Sequence, residues 1–85
     1  METIFSRRFD RELKKVIKKH PQYKTIIFHR LDIFRESPNH PMLRLHKLTN
    51  RDEYAIAVDH DIRIIFSREK DICYLLTIGS HDEVY

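Results

Sequence analysis

The chain has one glycine, one cysteine and no tryptophan in 85 residues, and each scarcity argues against a class of function. With Gly79 alone, no Gly-rich loop exists to cradle phosphates, which speaks against nucleotide-cofactor enzymes. Cys73 alone cannot build an internal disulfide framework, and no cysteine cluster points to structural zinc. It lies inside an apolar run, where a buried inert thiol is expected rather than a nucleophile. No His-Glu-x-x-His and no close carboxylate cluster indicates a metal site, so neither metal nor cofactor is expected. No apolar run approaches the roughly 20 residues of a membrane span. The opening METIFSRRFDRELKK has no long apolar stretch ahead of a small-residue cleavage site. The expectation is one cytoplasmic domain over residues 1–85 with no membrane partner.

What is present is 41% hydrophobic and 34% charged. That apolar share is too high for a disordered tail and can build one modest core. Charge is unevenly placed: residues 1–35 hold ten Lys/Arg against four Asp/Glu, and residues 36–85 hold six against nine. A basic front half suits a polyanionic partner on one face. A solvated, lysine-rich helix face produces the same count, so charge alone does not name a nucleic acid.

Periodicity divides the chain into a helical half and a strand half. Thr3-Ile4-Phe5 reads as a short first strand, and Ser6 as the N-cap of the helix after it. Phe9, Leu13, Val16 and Ile17 fall on one helical stripe, with Arg7, Arg8, Arg11, Lys14, Lys15, Lys18 and Lys19 around it. His20-Pro21 breaks this helix and starts a second, whose stripe is Tyr23, Ile26, Ile27, Leu31 and Phe34 and which ends before Ser37-Pro38. Beyond Pro41 the period changes to two. Leu43 and Leu45 suggest a short strand or extended edge. Tyr54, Ile56 and Val58 alternate with small residues, and Ile62, Ile64 and Phe66 alternate with Arg63, Ile65 and Ser67. Ile72 to Ile78 is a nearly continuous apolar run that suits a central strand. The short connections Asp59-His60 and Arg68-Asp71 suit hairpins. The expected fold is α+β in the order β-α-α-β-β-β, with two helices packed on one face of an antiparallel sheet.

The remaining chemistry lies in the strand half. Arg63 interrupts an apolar strand and projects away from the face of Ile62, Ile64 and Phe66. It is either an anion-binding group or an exposed sheet arginine paired with a carboxylate. His81 and Tyr85, four apart beyond the last strand, share a face if they form a helical turn. The alternative is a frayed tail.

Four ordered pieces, Leu45-His-Lys-Leu48, Tyr54 to Val58, Asp61-Ile-Arg-Ile-Ile-Phe66 and Ile78-Gly-Ser-His-Asp-Glu-Val-Tyr85, together resemble the RelE/ParE toxin superfamily. Within it they are most similar to the YafQ-like mRNA interferases. The resemblance covers the whole chain and implies a RelE-like fold with a short C-terminal helical turn. It implies the toxin of a type II toxin–antitoxin system, a metal-independent endoribonuclease that cleaves mRNA on the ribosome and is silenced by a cognate antitoxin. In that chemistry the ribose 2′-OH attacks the adjacent phosphate and the 5′-oxygen leaves, which requires a base, an acid and a cation. By resemblance His81 and His46 move protons, Asp61 orients a histidine or acts as base, and Arg63 holds phosphate oxygens through its planar fork. Tyr85 falls at a family Tyr/Phe position and is expected to stack on a base or to pack rather than to transfer a proton, while Lys47 and Arg44 add charge nearby. The basic helix, through Arg7, Arg8, Arg11, Lys14, Lys15 and Lys18, would grip 16S rRNA. A toxin–antitoxin hetero-oligomer that binds operator DNA also fits the family.

The sequence departs from the YafQ-like pattern at Ala57, where some members have histidine, and at Ile62, where tryptophan is frequent. The stretch Thr49 to Glu53 is short and lacks a glycine. These departures leave the division of acid and base open, and Ala57 keeps open a catalytically decayed toxin that persists as an antitoxin-binding or autoregulatory protein. The ParE-like branch of the same fold offers a second alternative, a DNA gyrase inhibitor.

Overall fold

A computed structural model describes residues 1–85, in the order β1 (Glu2–Phe5), α1 (Arg7–Lys19), α2 (Tyr23–Glu36), β2 (His46–Lys47), β3 (Tyr54–Ala57), β4 (Ile62–Glu69), β5 (Ile72–Ser80) and α3 (His81–Val84). Ser6 caps α1 as expected, its hydroxyl oxygen accepting the Phe9 amide at 3.0 Å. The same hydroxyl donates to the Leu76 carbonyl at 3.1 Å, tying the helix start to β5. Glu12, one turn further on, accepts from Thr77 Oγ1 at 2.7 Å and from the Ile78 amide at 3.3 Å. These side chains satisfy the β5 edge where β1 has ended.

The five strands lie in the order β1-β5-β4-β3-β2. Strands β2 to β5 form the antiparallel sheet the periodicity predicts. β1 joins its edge in parallel, from Glu2 opposite Ile72 to Phe5 opposite Leu75, so the complete sheet is mixed. A parallel neighbour needs a crossover rather than a hairpin, and the helical half of the chain supplies it.

One irregularity explains the continuous apolar run in β5. Ile65 pairs with Thr77 but Phe66 pairs with Leu75, leaving Leu76 as an extra residue. The bulge changes which residues face inward, so Cys73, Leu75 and Ile78 all belong to the core. That core joins Phe9 and Leu13 of α1 to Ile27, Leu31 and Phe34 of α2, and sets both against Ile56, Ile64 and Phe66. Phe34 meets Phe66 edge-on with ring centroids 4.8 Å apart.

The segment before β2 differs from expectation. Leu43 is buried in a 3-10 turn, Pro41–Leu43, whose start His40 caps. Arg44 then adopts φ 49°, and the strand begins only at His46. Proline at the start of the turn and a left-handed residue at its end exclude an extended edge over Leu43 to Leu45. No helix is long and apolar enough to cross a membrane.

Candidate active site

The short α3 is built by a capping box. Glu83 Oε1 accepts the Ser80 amide at 2.8 Å and Ser80 Oγ accepts the Glu83 amide at 3.3 Å. Hydrogen bonds from the Ser80 amide and hydroxyl hold the Glu83 carboxyl below its ordinary range. The turn folds back closely over the end of β5. A Cβ on Gly79 would meet Glu83 Oε1 at 3.2 Å and Val84 Cγ1 at 3.3 Å, a tight fit that the chain's one glycine avoids. The His81 amide donates to the Asp61 carbonyl at 2.8 Å, fixing the turn to the β3–β4 connection.

This turn brings the two sequence-predicted histidines to one tyrosine. The rings of His81 and Tyr85 meet edge-on, with centroids 4.5 Å apart. The Tyr85 hydroxyl lies 3.3 Å from His46 Nε2. His46 Nδ1 is 3.2 Å from the Arg44 carbonyl, which can only accept. The neutral His46 ring therefore carries its proton on Nδ1 and offers the Nε2 lone pair to Tyr85. Burial pushes the Tyr85 hydroxyl above its ordinary pKa, against the pull of the nearby Arg63 guanidinium, so it keeps its proton.

Arg63 reaches this place because of strand register. It lies opposite Ala57 in β3 and Gly79 in β5, two small residues that leave room over the sheet. His46 is opposite Ala55, which is opposite Ile65. Arg63 and Ile65 are two apart on β4, so His46 and Arg63 share the face turned away from the Ile64 core. Arg63 Nη1 donates to the carbonyls of Asp59 and Ile62. Both bonds use one nitrogen, which leaves other donors of the fork for Tyr85 and a ligand.

A cleft of about 370 Å³ opens here between His46, Lys47, Thr49, Arg51, His81 and Tyr85. Lys47 is exposed and lies 3.9 Å from Asp52. Arg51, which the sequence pattern did not single out, joins the rim with its guanidinium on Glu53. Its only advance signal was a positive charge in the short stretch after Leu48. Asp61 is placed differently from the histidines. It lines a separate cavity of about 890 Å³ with Lys15, Lys18, Lys19, His20 and Tyr23, and it meets His81 through its carbonyl. Arg7, Arg8, Arg11 and Lys14 are exposed along α1, where Arg8 pairs with Glu12 and Lys14 with Asp10. No three His, Cys, Asp or Glu side chains gather in a way that could hold a metal ion.

No family model matches this sequence, and no curated protein matches it. Solved structures do. A metal-bound toxin from Helicobacter pylori is 22% identical, with a TM-score of 0.81 over 100% of this chain and 99% of that one. YafQ from E. coli strain BL21(DE3) is 12% identical, with a TM-score of 0.82 over 99% and 97%. YafQ in the E. coli DinJ–YafQ complex is 18% identical, with a TM-score of 0.76 over 99% and 97%. At these identities the likeness is one of architecture, and it extends over essentially the whole of each chain: this protein has the RelE-like toxin fold.

Proposed function

We propose that this protein is the toxin of a toxin–antitoxin pair and acts as an endoribonuclease that cleaves mRNA on the ribosome. The observation that carries the proposal is the meeting of His46 and His81 at Tyr85 in one cleft, with Arg63 on the same face of the sheet as His46. Transesterification of RNA needs a proton acceptor, a proton donor and a cation, and this arrangement holds all three. His46 Nε2 presents a lone pair suited to taking the 2′ proton. His81, whose imidazole can donate a proton, returns one to the departing 5′-oxygen. Arg63 binds the phosphate oxygens as negative charge accumulates on them. The Tyr85 ring offers a stacking surface, and Lys47, Arg44 and Arg51 raise the positive potential at the rim. Asp61 contributes through its backbone, by holding His81.

The exposed cations of α1 supply sequence-blind attraction to ribosomal RNA. The DinJ–YafQ complex, built on the same fold, supports a protein antitoxin as the neutralising partner. A disordered acidic segment that folds on binding suits a basic surface of this kind.

The test is cleavage of a defined mRNA by the purified chain, with and without translating ribosomes, beside His81→Ala. Codon-phased cuts that require ribosomes and vanish in the variant support the reading. Inhibition of DNA gyrase supercoiling with no cut in either sample overturns it.

A further inference from the structure

The β3–β4 connection is held by two residues of α2, and it in turn holds Arg63 and the cleft residue His81. Asp59 Oδ1 accepts the amides of Asp61 at 2.9 Å and Ile62 at 2.7 Å, closing an Asx turn. Asp59 Oδ2 accepts the Tyr23 hydroxyl at 2.7 Å. Arg30 Nε donates to the Val58 carbonyl at 3.1 Å. On the other side, the carbonyl of Asp59 receives Arg63 Nη1, and the carbonyl of Asp61 receives the His81 amide at 2.8 Å.

We infer that Asp59, braced by Tyr23, is a positioning residue for Arg63 and His81. Its functional consequence rests on the ribonuclease reading, whereas its structural consequence does not. Neither side chain lines the cleft; Tyr23 opens onto the larger cavity beside α1. The turn would reverse the chain without a brace from a helix, because the Asx bonds and the adjoining ladder already close it. The added Tyr23 bond fixes where the two carbonyls stand, one of which holds Arg63 and the other His81. Displacements of about 1 Å in catalytic groups are enough to lower a rate about a hundredfold. Burial opposes the Asp59 charge, but the hydrogen bonds from Tyr23, Ile62 and Asp61 outweigh it and hold the carboxyl below its ordinary range. The brace is thus a charged acceptor at neutral pH, the stronger form of such a bond.

The experiment compares Tyr23→Phe, Asp59→Ala and Asp59→Asn with Arg35→Gln, which removes an equivalent bond from α2 to Thr3 far from the cleft. Two readouts are taken: hydrogen exchange of the His81 amide, and kcat and KM for mRNA cleavage. Tyr23→Phe and Asp59→Ala are expected to speed His81 exchange about tenfold and lower kcat about tenfold, with KM unchanged and α1 exchange faster by no more than about fivefold. Asp59→Asn, which keeps an oxygen for the two amides, is expected to recover most of both. Arg35→Gln is expected to change neither. Wild-type exchange and kcat in a folded Tyr23→Phe protein would overturn the inference, as would equal effects in Arg35→Gln. If the wild type cuts no RNA, the ribonuclease reading fails, while the exchange data alone still decide the positioning role. Should Asp59→Ala not fold, Tyr23→Phe, which removes a single hydroxyl, carries the test.

Discussion

The Tyr85 hydroxyl lies 3.3 Å from His46 Nε2 while its ring stands edge-on to His81, so one C-terminal side chain connects a histidine of β2 with a histidine of α3. Because Nδ1 of His46 is committed to the Arg44 carbonyl, the Tyr85 hydroxyl is the group that occupies Nε2. Tyr85→Phe keeps the ring against His81 and removes that bond. Its cleavage rate is expected to change by no more than about fivefold, the equivalent of a hydrogen bond worth roughly 1 kcal/mol. Tyr85→Ala removes the ring as well and is expected to lose about a hundredfold. A single-turnover rate comparison of the two variants separates orientation by the hydroxyl from stacking by the ring.

Arg63→Lys retains the charge and loses the fork. One nitrogen of Arg63 already serves the carbonyls of Asp59 and Ile62, so a lysine cannot satisfy both them and a phosphate. The expected result is a fall in kcat of about 10²–10³, in line with removal of a donor to a developing negative charge. Thermal stability should change little, because Arg63 is only partly buried and lies on the face away from the core. A melting curve beside the rate measurement distinguishes loss of chemistry from loss of fold.

Glu83→Ala removes half of the capping box that builds α3. A lost cap costs roughly 0.5–2 kcal/mol, which in a four-residue helix is felt locally as fraying rather than as global unfolding. Cleavage should drop while the melting temperature stays close to that of the wild type. The same cap is sensitive to acid. Glu83 has a depressed folded-state pKa, so its contribution is present above its ordinary 4.5 and fades as pH falls through the lower folded value. NMR line widths of His81 followed down to pH 3 would show this loosening in the wild type and not in Glu83→Ala.

Much of this arrangement was readable from residue pattern. The alternation around Arg63 in β4 placed it on the face away from the core, and the four-residue spacing of His81 and Tyr85 matched the turn they occupy. The helix stripes led to Phe9, Leu13, Ile27, Leu31 and Phe34, all buried. The bulge at Leu76 was hidden because an unbroken apolar run carries no parity signal. The turn at Pro41–Leu43 was hidden because Leu43 and Leu45 alternate whether or not the backbone is extended. The meeting of His46 with Tyr85 depends on the register of four strands, and only the family resemblance pointed to His46. Asp61 illustrates a different limit: its identity suggested a carboxylate function, but its link to His81 is a carbonyl, which every residue possesses.

The Tyr23–Asp59 bond makes stability sensitive to alkali. Tyr23 is raised from 10.0 to about 12, first by its hydrogen bond to Asp59 and then by burial and the charges of Asp59 and Asp61. A raised pKa gives a contribution that is complete below pH 10 and lost as pH climbs toward 12. With solvent screening of a partly exposed pair, its size is about 1 kcal/mol. The unfolding free energy of the wild type should therefore exceed that of Tyr23→Phe by about this amount at neutral pH, and the gap should close in the alkaline limb. Urea titrations of both proteins at pH 7, 9 and 11 measure it.

The central claim, that His46, His81 and Arg63 catalyse attack by a ribose hydroxyl on the neighbouring phosphate, is tested most directly by the chemistry of the cut ends. Messenger RNA recovered from translating ribosomes after exposure to the wild-type chain should carry 2′,3′-cyclic phosphate on the upstream fragment and 5′-hydroxyl on the downstream one. Both products should be absent with His81→Ala. Fragments ending in 3′-hydroxyl and 5′-phosphate, or cuts that persist unchanged in His81→Ala, would contradict it.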